Sequence, residues 1–163
     1  MKRIGIISDT HGFFDDKLIN FLSKCDEIWH AGDIGNLGLL EKLENFKPLK
    51  AVYGNIDDYK VRSALKETIR FRVENKNIII THIGGYPGKY EKKITEMFKT
   101  ESPDIFVCGH SHILKVMYDK KYNVLHINPG AAGKSGLHKQ RTAIRLIIDA
   151  NDIRDMEILN IER

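Results

Sequence analysis

Five apolar, β-branched runs in this chain each end on polar side chains able to bind a metal ion, and they follow one another in order along the sequence. Asp9-Thr10-His11 follows the run Lys2–Ser8, Gly32-Asp33 follows Glu27–His30, and Gly54-Asn55 follows Leu49–Tyr53. His82 closes the run Ile78–Thr81, and Gly109-His110-Ser111-His112 closes a strand over Asp104–Cys108. The carboxyl ends of strands form the ligand crevice of an open α/β sheet. Five such strands therefore deliver Asp9, His11, Asp33, Asn55, His82, His110 and His112 to one edge. Singly the pieces are bland: Asp-Thr-His suits a capped turn, and Gly-Asp and Gly-Asn are ordinary turn dipeptides. The ordered set carries the weight.

The mixture of donors narrows the chemistry. Asp-x-His and His-x-His each aim two side chains the same way, and one carboxylate such as Asp33 has two oxygens with which to bridge two ions. Imidazole with oxygen suits Mn²⁺, Zn²⁺ or Fe²⁺ rather than Ca²⁺, which takes oxygen alone; two divalent ions are expected, Mn²⁺ before Zn²⁺, Fe²⁺ or Ni²⁺. The absence of cysteine among the candidates argues against a structural zinc site. Two dications, less the charges of Asp9, Asp33 and a bridging hydroxide, leave a positive centre that attracts a phosphate ester.

Between these motifs the periodicity predicts helices over Asp16–Lys24, Leu37–Leu43 and Glu91–Lys99,. The β-α-β-α-β order of the first third predicts a parallel sheet with crossover helices. Later segments read as hairpins: Thr68–Val73 with Ile78–Thr81, Val116–Tyr118 with Val124–Ile127, and Thr142–Ile148 with Ile153–Ile161,. The predicted fold is α/β (α+β), with two mixed sheets as the core and helices outside, in one domain over 1–163.

Composition excludes several classes. The chain has 163 residues, 42% apolar and 29% charged, with no apolar run long enough to cross a bilayer,. Two cysteines, Cys25 and Cys108, imply no disulfide framework, and a cytoplasmic location is expected,. A net charge of +4 is spread among 22 acidic residues. No basic–aromatic alternation marks a nucleic-acid surface, so nucleic acid is expected at most as a substrate.

The set Asp9-x-His11, Gly32-Asp33, Gly54-Asn55, His82 and Gly109-His110-x-His112 resembles the calcineurin-like metallophosphoesterase superfamily, over residues 4 to about 145. His30-x-Gly32-Asp33 and Asn128-Pro129-Gly130 make it similar to the compact YfcE-type phosphodiesterase branch. The resemblance implies a four-layer αββα sandwich. It implies one divalent ion held by Asp9, His11, Asp33 and His112, and a second held by Asp33, Asn55, His82 and His110, with Asp33 bridging. The resemblance further implies a catalytic role for Asp33, Asn55 and His82 and a small phosphate ester as substrate, which a hydroxide bridging the two ions would attack.

Two departures matter. Many members carry His after the Gly-Asn pair as a general acid, where this chain has Ile56-Asp57. Leaving-group protonation then falls to a metal-bound water, Asp57 or a more distant His, and good leaving groups are favoured. Many also carry a second His near the fourth motif, where this chain has His82-Ile83-Gly84-Gly85. His30 is a candidate for orienting a ligand, and Lys134, His138, Lys139 and Arg141 for contacting substrate phosphate. Phe13, Phe14 and Tyr59 are candidates for an exposed rim or an interface between copies in a homo-oligomer. The alternatives are a phosphomonoesterase or nucleotide phosphatase with the same site, and a non-catalytic binding scaffold of the same fold.

Overall fold

The computed structural model describes residues 1–163. In the first sheet β1 (Lys2–Ile7), β2 (Glu27–His30) and β3 (Leu49–Ala51) run parallel, joined by α1 (Asp16–Leu22) and α2 (Leu37–Phe46). Short α3 (Tyr59–Ala64) follows β3, and the hairpin β4 (Thr68–Val73)–β5 (Lys76–Thr81) opens the second sheet. A two-stranded ribbon, β6 (Gly85–Tyr86) and β7 (Lys89–Tyr90), precedes α4 (Lys92–Thr100) and β8 (Ile105–Val107). The hairpins β9 (Leu114–Asp119)–β10 (Val124–Pro129) and β11 (Gln140–Asp149)–β12 (Asp152–Glu162) complete the chain. The sheet orders are β12-β11-β1-β2-β3 and β4-β5-β8-β10-β9.

Strand alternation explains the layers. Ile4, Ile6 and Trp29 of the first sheet meet Ile78, Ile80, Ile105 and Val107 of the second in a buried seam. Trp29 crosses that seam edge-on to Phe71, with ring centroids 5.3 Å apart, and donates its indole N–H to Glu27 Oε1 at 2.8 Å. On the other face of the first sheet Ile7 and Ile28 pack against Leu18 and Leu22 of α1 and Leu40 and Leu43 of α2. Ile79 and Phe106 of the second sheet pack against Ile94 and Phe98 of α4. Helices outside and two mixed sheets inside make the four-layer αββα sandwich.

The predicted hairpins and three helices are all present, with ends moved by a few residues. The helix starts are set by side chains: Asp15 Oδ1 accepts Leu18 N–H at 3.2 Å and Asn36 Oδ1 accepts Leu39 N–H at 2.8 Å,. Two elements escape sequence reading. α3 has one buried residue, Val61, too few to show a helical period, although Asp58 caps it by accepting from Lys60 and Val61. The β6–β7 ribbon has two residues per strand, too short for alternation. Strand β3 stops at Ala51, and Val52 makes only an isolated bridge to Lys66.

Candidate metal centre

All seven predicted ligands lie together at the carboxyl ends of β1, β2, β3, β5 and β8. Asp9, Asp33 and His82 are buried, His11 and His112 half-buried, and Asn55 and His110 exposed at the rim. Donor atoms of Asp9, His11 and His112 lie within 4.8 Å of one another, as do those of Asp9, Asp33 and His82. Asn55 Oδ1 joins the remaining pair, 2.9 Å from His82 Nε2 and 3.0 Å from His110 Nδ1.

The backbone is bent to achieve this. Asp9, His11, Asp33, His110 and His112 all have φ between 47° and 71°, the left-handed region that non-glycine residues seldom occupy,. Such strain persists only where surrounding bonds hold it, and it clusters at functional sites. Two motif glycines are needed for close approach. A Cβ at Gly54 would lie 2.0 Å from Asp33 Oδ1, and one at Gly109 would lie 2.1 Å from Ser8 Oγ and 2.7 Å from Asp9 Oδ2.

Each carboxylate has one oxygen tied to the protein and one left for the centre. Asp9 Oδ2 accepts from Ser8 Oγ at 2.7 Å and His110 N–H at 3.1 Å, whereas Asp9 Oδ1 is buried without a hydrogen-bond partner. Asp33 Oδ1 accepts Ile56 N–H at 3.0 Å, and Oδ2 lies 3.4 Å from His11 Nε2 and 3.2 Å from His82 Nε2. That places Asp33 Oδ2 between the two halves of the cluster. His11 Nε2 is also buried with no hydrogen-bond partner. Unpartnered buried polar atoms are rare and ask for an ion. Here an O and an N face the same space, so the residues fit divalent cations with mixed N/O ligation.

The imidazoles are oriented from behind. His82 Nδ1 lies 2.7 Å from Ala31 O, so Nδ1 carries the proton and Nε2 faces the carboxylates. His138 Nε2 donates to Gly133 O at 2.8 Å, which leaves its Nδ1 to accept from His112 Nδ1 at 3.1 Å. In neutral rings that bond turns the bare Nε2 of His112 toward Asp9 Oδ1, 3.2 Å away. A partner on the far nitrogen is the usual way a ligating imidazole is held. His30 takes no part as a ligand: its Nδ1 accepts Gly32 N–H at 3.1 Å and its Nε2 donates to Thr10 Oγ1 at 2.9 Å. Complete burial pushes His30 down to about 4, so it is a neutral brace joining the Asp9 and Asp33 loops.

Electrostatics follow the same geometry. Burial works against the Asp9 carboxylate, yet His11, His112 and His82 outweigh it and hold Asp9 far below the usual carboxylate range. His11 is raised by the nearby Asp9 carboxylate, with Asp33 adding to the effect against burial. Burial opposes charge on His82, but Asp33 and then Asp9 win and raise it.

Several sequence-based expectations are corrected. Asp57 is no proton donor: its carboxylate accepts N–H groups of Ile34 at 3.1 Å, Gly35 at 2.8 Å and Gly54 at 2.8 Å, stitching two site loops together. Arg141 is buried and pairs with both oxygens of Asp15 at 3.0 and 3.1 Å, so it is unavailable to substrate. Phe14 is buried under α2 rather than exposed, while Tyr59 is 73% exposed. Phe13 is half-covered, with Lys134 and Arg141 over its ring. Beside Asn55 and His82 a cleft of about 180 Å³ opens, with Arg62 and Lys93 on its walls. His138 was legible only as part of a basic stretch, and no local pattern ties it to His112.

The fold and the site together agree with a family match: residues 1–151 fit the model of the calcineurin-like phosphoesterase superfamily domain, and the chain belongs to that superfamily. A probable metallophosphoesterase of Methanothermobacter thermautotrophicus is 24% identical over 133 residues, covering 78% of this chain and 76% of that protein. Among solved structures, Vps29 of Chaetomium thermophilum superposes with a TM-score of 0.79 at 14% identity, covering 99% of this chain and 97% of that one. A structure described as a novel archaeal phosphodiesterase superposes with a TM-score of 0.74 at 24% identity, covering 96% and 99%. No helix of this chain is long and apolar enough to cross a membrane.

Proposed function

We propose that this chain is a two-metal phosphodiesterase. The observation that carries the reading is the pair of buried, unpartnered atoms, Asp9 Oδ1 and His11 Nε2, facing Asp33 Oδ2 and His82 Nε2 in one cluster. Asp9, His11, Asp33 and His112 would hold one divalent ion, and Asp33, Asn55, His82 and His110 the other. When bound, such a pair supplies Lewis acidity to the phosphoryl oxygens and ionises water near neutral pH.

The chain's own groups do the rest. Asp33 Oδ2 lies at the centre of the cluster and Ile56 N–H keeps Oδ1 turned away. Exposed Asn55 and His110 form the rim across which an ester enters. Ile56 has no proton to donate from its side chain, and Asp57 is consumed by backbone N–H groups. Neither neighbour of the Gly-Asn pair therefore protonates the leaving group, a service typically worth roughly 10²–10⁴-fold. Aryl diesters should turn over much faster than alkyl ones, and a rate that ignores leaving-group pKa would remove this part of the reading.

The test compares bis(p-nitrophenyl) phosphate with p-nitrophenyl phosphate in Mn²⁺-loaded protein, beside Asp33→Asn. Diester hydrolysis that falls on the order of 10³-fold in Asp33→Asn is expected, since several kcal/mol of transition-state stabilisation goes with the centre. Dominant monoesterase activity moves the substrate class while keeping the site. Metal that fails to bind leaves a scaffold of this fold.

A further inference from the structure

A second cavity, of about 300 Å³, lies behind the Gly109–His112 loop on the α4 side of the second sheet. Lys115 and Asn128 are cross-strand partners on β9 and β10, and His126 stands two residues back on the same face as Asn128. Gly85 and Tyr86 of the β6–β7 ribbon, with Ser111 and Ile113, complete the enclosure. The cavity adjoins the metal centre through Ser111, which sits between His110 and His112. Asn128 Nδ2 pins that loop, donating to Gly109 O and Ser111 Oγ at 3.0 Å each.

Three features define an occupant. The walls are apolar but open: Tyr86 is 46% and Ile113 67% exposed, and the Lys115 ammonium lies over the Tyr86 ring at 5.3 Å from its centroid. The floor holds an unused polar atom. His126 is fully buried, its Nδ1 lies 3.3 Å from the Tyr90 hydroxyl, and its Nε2 has no partner. Burial pushes His126 down to about 4, so the ring is neutral. With Tyr90 donating to Nδ1, the proton on Nε2 is free to donate. Finally, His126 Nε2, Ser111 Oγ and Lys115 Nζ each offer a proton to the space,. Asn128 is already satisfied, with Oδ1 accepting Gly130 N–H at 3.0 Å. Ser111 Oγ accepts from Asn128 and from Ile113 N–H, which leaves its own proton available. No carboxylate lines the space.

We propose that this cavity is the subsite for the organic group of the ester, and that it takes a planar, acceptor-rich heterocycle of the carbonyl-bearing nucleobase class. The ring lies against Tyr86 and Ile113, and its carbonyls accept from His126 Nε2, Ser111 Oγ and Lys115 Nζ. At about 300 Å³ the space is at the small end for ligand pockets and suits one ring system rather than a whole nucleotide,. The assignment to substrate rests on the phosphodiesterase reading above; the affinity for the heterocycle does not.

The experiment uses two diesters with a common leaving group, thymidine 5′-(p-nitrophenyl phosphate) and methyl p-nitrophenyl phosphate, on the full Mn²⁺-loaded chain. The nucleoside ester is expected to have a kcat/KM at least about tenfold higher, mostly through KM, as the recovered hydrogen bonds and ring contact imply. Lys115→Ala and Ile113→Asp, both at the cavity mouth, should bring that ratio down several-fold. His126→Phe should bring it close to one, and the two surface variants carry the test if it fails to fold. Separately, thymidine monophosphate is titrated into metal-free protein while backbone amide resonances are followed. Shifts centred on Tyr86, Ser111, Ile113 and Lys115 support the subsite even where neither ester is cleaved, an outcome that overturns the phosphodiesterase reading instead. A wild-type ratio near one, a ratio that the variants do not move, or amide shifts absent from this cavity would overturn the proposal.

Discussion

Four donors deeper in the site, Asp9, Asp33, His82 and His112, are each backed by a second bond, while at the rim the donors lean on one another. Asp9 is fixed by Ser8 and the His110 N–H, Asp33 by the Ile56 N–H, His82 by Ala31 O and His112 by His138. Asn55 and His110 are exposed and share a contact through Asn55 Oδ1. A rigid floor holds charge in place at small reorganisation cost, which is what electrostatic catalysis requires. A looser rim admits a substrate without disturbing it. The contrast teaches that the strength of this site resides in bonds one step behind the donors.

Gly54→Ala attacks the floor most directly, because its Cβ would displace the Asp33 carboxylate from a contact of 2.0 Å. Misplacement on the order of 1 Å costs roughly 10²-fold in rate. A loss of that size in diester hydrolysis, with circular dichroism unchanged, is expected; a loss under threefold would show that Asp33 is not held as described.

His138→Ala removes the bond behind His112 and should weaken Mn²⁺ binding by roughly 10–100-fold, measured by calorimetry. Gln at the same position, which can still accept from His112, should recover part of it. Equal affinity in wild type and alanine variant would erase the distinction between floor and rim on that side.

Acid should act on the floor as well. His11 and His82 are both raised above the ordinary value of 6.5 and hold protons that a cation must displace,. Metal affinity therefore climbs as pH rises through and above that value, and levels off once the raised values are passed. Titrations in buffers of different ionisation enthalpy should show proton release on binding at pH 6.5 that fades as the pH climbs past the raised values,. Affinity independent of pH over that span would contradict the assigned protonation.

Tyr59→Ser, at a position 73% exposed on α3, should change rate by less than about twofold and stability by at most about 0.5 kcal/mol,. A larger effect on KM alone would extend the rim to α3.

What the amino-acid order determined alone was local. Alternation and apolar runs located most of the strands, helical spacing placed α1, α2 and α4, and the polar residues after each run supplied the seven candidate donors. These signals survive in sequence because turn chemistry and strand period act over a few residues. The tertiary structure decided which partner stands behind each donor. Asp57 reads as a proton donor beside Ile56 until packing delivers three N–H groups to it, two of them from the β2–α2 loop. His138 reads as one of a basic stretch until the return of the chain to β11 sets it 3.1 Å from His112. His126 is one position of the apolar run Val124–Ile127 until β6–β7 closes a cavity beside it. Each of these arrangements depends on residues far apart in the chain, and no short-range pattern encodes that.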